Sequence, residues 1–111
     1  MANILVVDDS PFMRKVLSDM LVKAGHTVVG QAGNAHEAVT SYKELKPDVM
    51  TLDVVMPEVD GINFIRAIKN IIAEDKEAKI IMISSMGQQQ EIVNECIQAG
   101  ARDFINKPFQ A

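Results

Sequence analysis

Five short apolar runs divide the chain, and between them hydrophobic positions recur at helical spacing. Ile4-Leu5-Val6-Val7, within Asn3 to Asp8, has no polar interruption, which predicts a strand covered on both faces. Thr27-Val28-Val29, the stretch around Leu52 that ends on Asp53, Ile80-Ile81-Met82-Ile83 and Asp103-Phe104-Ile105 predict four more. The intervening segments read as helices. Ser10-Pro11 supplies an N-cap and a favoured first helical residue, Phe12, Val16, Leu17, Met20 and Leu21 share a face, and Gly25 stops the helix. Asn34 and Glu37 have the spacing of a capping box ahead of Ala38, Val39, Tyr42 and Leu45, and Pro47 ends that stripe. Asp60 is the expected cap of a third helix with Ile62, Ile65, Ile68 and Ile72 on its apolar side. Gln88 to Ala99 carries Ile92, Val93, Cys96 and Ile97, and Gly100 closes it.

The predicted order is therefore βαβαβαβαβ. Right-handed crossovers turn it into an α/β, doubly wound, five-stranded parallel sheet, with the flavodoxin-like strand order 2-1-3-4-5 favoured. A chain of 111 residues makes one domain, 1–111. The pattern stops after the fifth strand, where a fifth helix would be expected. The sheet surface beside the first helix would then lie open, which predicts either a truncated form or a chain that dimerises or exchanges elements.

Composition narrows the class without naming a function. The hydrophobic fraction of 48% is that of an ordinary globular domain, and no apolar run reaches the ~18 residues of a membrane span. No basic, then apolar, leader opens the chain, so a soluble cytoplasmic protein is expected. A net charge of −4 argues against a nucleic-acid partner. The single cysteine, Cys96, excludes an internal disulfide and reads as a small buried hydrophobe. His26 and His36, in different units, read as surface residues.

The candidate chemistry sits at strand ends. In the favoured strand order the first and third strands flank the switch point, so Asp8, Asp9 and Asp53 converge there. Three carboxylates at one edge repel one another, and a cation relieves the strain. Oxygen-only ligands suit Mg²⁺ rather than zinc. The plainer alternative has Asp8 and Asp9 merely charging a helix N-terminus. Lys107 after the fifth strand can set a point charge against phosphate oxygens, and Ser84 after the fourth offers a hydroxyl. With Asp53 as a carboxylate nucleophile, these groups make a phosphoryl-transfer set.

Asp8-Asp9, Leu52-Asp53 with Met56-Pro57 and Asp60-Gly61, Ser84, and Lys107-Pro108-Phe109 resemble the receiver domain of two-component response regulators. The likeness covers the whole chain, and Val6-Val7-Asp8-Asp9-Ser10 with Phe12-Met13-Arg14 resembles the single-domain, CheY-like chemotaxis subgroup. Thr51-Leu52-Asp53 and Ser84-Ser85 are also similar to the receiver of a chemotaxis methylesterase. The resemblance implies that Asp53 accepts a phosphoryl group from a histidine kinase or acetyl phosphate. It implies Mg²⁺ on Asp9, Asp53 and the Val55 carbonyl, with Asp8 direct or through water. Ser84 and the ring of Phe104 would be the switch, Lys107 the phosphoryl partner, and the bond before Pro108 cis. The output would be a downstream protein such as the flagellar motor switch, with no catalysis beyond self-phosphorylation and self-dephosphorylation. Phe104 stands where some members carry Tyr. Val55 and Met86 are apolar where some relatives carry polar groups, which predicts slow hydrolysis of the acyl phosphate. A small Mg²⁺-dependent phosphatase with an Asp nucleophile is the enzyme alternative, but the Asp-x-Asp motif and capping insert of that class are missing here.

Overall fold

The computed structural model describes residues 2–53, 61–84 and 90–106, with Ser84, Gln90 and Asn106 placed by their backbone. The element order is β1 (Asn3–Val7), α1 (Pro11–Lys23), β2 (Thr27–Ala32), α2 (Ala35–Leu45), β3 (Val49–Asp53), α3 (Phe64–Glu74), β4 (Lys79–Ser84), α4 (Gln90–Ala99) and β5 (Asp103–Asn106). All five strands are parallel, in the order β2-β1-β3-β4-β5. That is the order expected from the strand pattern. β1 and β3 are thus neighbours although two helices and a strand separate them in sequence, which places their C-terminal ends side by side.

Local chemistry sets the helix starts. Ser10 caps α1, its hydroxyl accepting from Met13 N–H at 3.2 Å, and Pro11 takes the first turn. Asn34 caps α2 by accepting from Glu37 N–H at 2.8 Å. The reciprocal arm reaches one residue further back than a capping box predicts, because Glu37 accepts from Gly33 N–H at 2.9 Å. Asp60, the expected cap of α3, lies outside the described residues. That helix begins later, with Asn63 accepting from Arg66 N–H at 2.9 Å, and Ile62 packs on the core from outside it. Asn competes well with Asp for this position, so spacing from the Ile stripe could not choose between them. Gln88 and Gln89, expected to open α4, lie outside the described residues.

One face of the sheet buries Leu5, Val7, Met50, Leu52, Ile80 and Met82 against α2, α3 and α4, through Val39, Tyr42, Ile68, Ile71 and Cys96. α1 contributes nothing to that cluster and packs along β1 and β2, while Ile4, Val6, Thr51 and Ile83 are buried on the opposite face of the sheet. Three expected stripes are broader than the surface they bury. Phe12 is 72% exposed at the start of α1, and Leu45 and Ile97 also reach solvent. Cys96 is fully buried as expected, and burial pushes its thiol up to about 11. His26 is half-buried, its Nδ1 accepting from Ala2 N–H at 3.1 Å. No helix among the described residues is long and apolar enough to cross a membrane.

Candidate functional site

Asp53 is the last residue of β3, paired in register with Ile83 of β4, and only 3% of it is exposed. Asp8 follows β1 directly. Its N–H donates to Ala32 O at 3.1 Å, prolonging the β1–β2 ladder by one bond, and its side chain is buried. Asp9 is exposed. The switch between β1 and β3 brings all three together: each offers a carboxylate oxygen, and these oxygens lie within 4.8 Å of one another. Two oxygens on opposite sides of one small hard cation stand ~4.2 Å apart. The observed spread is close to that, and the donor set is oxygen only, so Asp8, Asp9 and Asp53 fit a hard divalent cation.

The loop that carries the acids is tied down. Asp8 Oδ1 accepts from Ser10 N–H at 2.9 Å, a short turn that fixes the carboxylate of Asp8. Arg14, one turn into α1, donates from Nη1 to the backbone carbonyl of Asp8 at 2.6 Å. Sequence reasoning missed Arg14. Its target is a backbone atom six residues upstream across a helix start, which no side-chain periodicity encodes.

Ser84 ends β4 and pairs with Asn106 of β5, so its backbone stands at the same sheet edge as Asp53. Phe104 pairs with Met82 and packs, half-buried, against the cluster under α3 and α4. Lys107 and Val55 lie outside the described residues, as do Met86 and Pro108. The cavity of about 290 Å³ between α2 and α3, lined by Tyr42, Lys46, Ile71 and Asp75, sits at the C-terminal ends of those helices, away from the acids.

A parallel sheet with acids gathered at its switch point is shared by several families, and comparison with known proteins decides among them. Residues 4–111 match the model of the response regulator receiver domain. The chain belongs to the response-regulator receiver family. This receiver is 55% identical to the chemotaxis protein CheY of Thermotoga maritima over 108 residues, 97% of this chain and 87% of that protein. Its fold superimposes with a TM-score of 0.86 on the CheX-CheY-BeF3-Mg²⁺ complex from Borrelia burgdorferi, at 39% identity, covering 97% of this chain and 79% of that one. The response regulator domain of Thermotoga maritima CheB gives 0.84 at 44% identity, covering 96% and 78%. The receiver is accordingly CheY-like, a phosphorylation-controlled chemotaxis response regulator.

Proposed function

We propose that Asp53 is the phosphoacceptor of this receiver and that Asp8, Asp9 and Asp53 hold Mg²⁺ together with the carbonyl of Val55. The observation that carries this reading is the convergence of three carboxylate oxygens within 4.8 Å at the C-terminal edge of β1 and β3. One Asp53 oxygen attacks the phosphorus of the donor, and the bond from that phosphorus to the donor's imidazole nitrogen or acyl oxygen breaks. The leaving group departs with the electron pair, and the phosphoryl group stays as an acyl phosphate. Bound Mg²⁺ supplies charge neutralisation for the transferred oxygens.

Asp8 and Asp9 orient the site by holding their carboxylates against Asp53. Lys107 pairs with the phosphoryl group, Ser84 moves toward it, and Phe104 follows into the space that Ser84 leaves. Phe104 has no hydroxyl, so packing alone drives its movement. The donor is a histidine kinase or acetyl phosphate. The output is a change in the α4–β5 surface read by a downstream chemotaxis protein such as the flagellar motor switch, in the cytoplasm. The single receiver unit is 1–111, with no catalysis beyond self-phosphorylation and self-dephosphorylation. The CheB receiver likeness supports a second output, control of an attached methylesterase.

Incubation with acetyl phosphate and Mg²⁺ should add one phosphoryl group by mass, and Asp53→Asn should abolish it. Modification that survives in Asp53→Asn refutes the acceptor, and steady turnover of phosphoesters moves the protein to the phosphatase class.

A further inference from the structure

We propose that Arg14 is a positioning residue for the acid cluster, setting Mg²⁺ affinity through the peptide plane between Asp8 and Asp9. The inference rests on the reading of Asp8, Asp9 and Asp53 as ligands and assigns a further residue to that site. Arg14 Nη1 donates to the Asp8 carbonyl at 2.6 Å, a short charge-assisted bond. The peptide unit is rigid, so fixing the Asp8 carbonyl also fixes the direction in which the chain enters Asp9. Asp53 is buried at a strand end, and Asp8 is held by Ser10 N–H and the Asp8 N–H bond to Ala32. Asp9 is the exposed member of the three. Its approach to the other two therefore depends on the backbone that Arg14 clamps.

The clamp is itself supported from two sides. Arg14 N–H donates to Ser10 O at 3.0 Å, seating the residue in the first turn of α1. On the other side, Nη1 lies 3.4 Å from where a Cβ on Gly33 would stand, so the guanidinium sits against the β2–α2 turn. Glu37 Oε1 lies 3.6 Å from the same point while accepting from Gly33 N–H. Arg14 thus joins α1, the acid-bearing loop and the β2–α2 turn.

Charge and position predict opposite outcomes. A cation near three carboxylates lowers their affinity for a second cation, so a purely electrostatic Arg14 predicts tighter Mg²⁺ binding in Arg14→Ala and no change in Arg14→Lys. A positioning Arg14 predicts weaker binding in both, because the Lys ammonium ends one bond short of where Nη1 meets the carbonyl. Supporting groups behind metal ligands typically carry ~10- to 100-fold in affinity.

The test is calorimetric titration of Mg²⁺ into the wild type, Arg14→Ala and Arg14→Lys, with the metal-free thermal midpoint of each measured alongside. The expected result is a dissociation constant raised about tenfold or more in both variants, with the Arg14→Lys midpoint near that of the wild type. Affinity within about twofold of the wild type in Arg14→Lys overturns the proposal, as does tighter binding in Arg14→Ala. If Arg14→Ala fails to fold, Arg14→Lys alone decides. A wild type that binds no Mg²⁺ sinks the functional reading itself, a result distinct from the other two.

Discussion

Tyr42 Oη donates a 2.9 Å hydrogen bond to Asp75 Oδ2, linking α2 to the C-cap of α3 across 33 residues. The ring of Tyr42 is buried in the cluster below α2 and α3. Asp75 is doubly engaged, since its Oδ1 accepts from Glu77 N–H at 3.1 Å and its own N–H donates to Ile71 O. Desolvation, and then this bond, push the Tyr42 phenol up to about 12 from an ordinary 10.0. Tyr42→Phe should cost ~1–3 kcal/mol, read as a lower urea midpoint at unchanged slope. The native phenol keeps its proton to about 12 and the unfolded one releases it near 10.0, so the native state binds more protons across that window. Stability is therefore intact below pH 10 and declines toward 12, and Tyr42→Phe should flatten that part of the decline.

Gly100 is where α4 turns away toward β5, and two independent constraints keep a side chain out. Its φ of +124° suits glycine alone, and an added Cβ would stand 2.6 Å from Ile72 Cγ1 on α3. Gly100→Ala should destabilise by ~2–4 kcal/mol. Ile72→Ala placed in that background should relieve only the steric share. A coupling near zero in the double-mutant cycle would show that the Ile72 contact plays no part.

Thr51 of β3 and Ser18 of α1 are buried, and among the described residues neither hydroxyl finds a hydrogen-bond partner. A buried donor without a partner costs ~1–3 kcal/mol relative to an apolar replacement of the same shape. Thr51→Val keeps the shape and suits a strand. It should raise stability by ~1 kcal/mol, measured by urea unfolding. A destabilised Thr51→Val would mean that the hydroxyl has a partner in solution.

The strands, the helix number and the acids that end strands were legible from short-range signals, and the strand order followed from the handedness of the crossovers. Continuous apolar runs mark strands covered on both faces, and Asp8 and Asp53 follow such runs directly. What escaped depends on three-dimensional neighbours. The Asn63 cap of α3 could not be separated from Asp60 by spacing, since both residue types cap helices well. Phe12 shares a helical face with the half-buried Val16 and Met20, yet in the first turn of α1 it is exposed, which helical spacing alone does not reveal. Arg14 and the Tyr42–Asp75 bond pair a side chain with a distant or backbone partner, for which a single sequence has no periodic signature.

The acid cluster should weaken the metal-free fold in a way that magnesium reverses. Three carboxylates with oxygens within 4.8 Å repel one another, and burial of Asp8 and Asp53 limits screening by water. Asp53→Asn removes one charge while keeping the shape, so it should raise the metal-free unfolding free energy by ~1 kcal/mol. Added salt should stabilise the metal-free wild type more than the variant, because repulsion is what salt screens. Magnesium at ~100 times its dissociation constant should stabilise the wild type by about 2.7 kcal/mol, since only the folded chain gathers the three ligands. Asp53→Asn and Asp9→Asn should lose most of that gain while keeping the higher metal-free midpoint. Thermal melts with and without Mg²⁺, repeated with a chelator, separate the two effects. If Asp53→Asn melts below the wild type without metal, repulsion is not the dominant force at this edge.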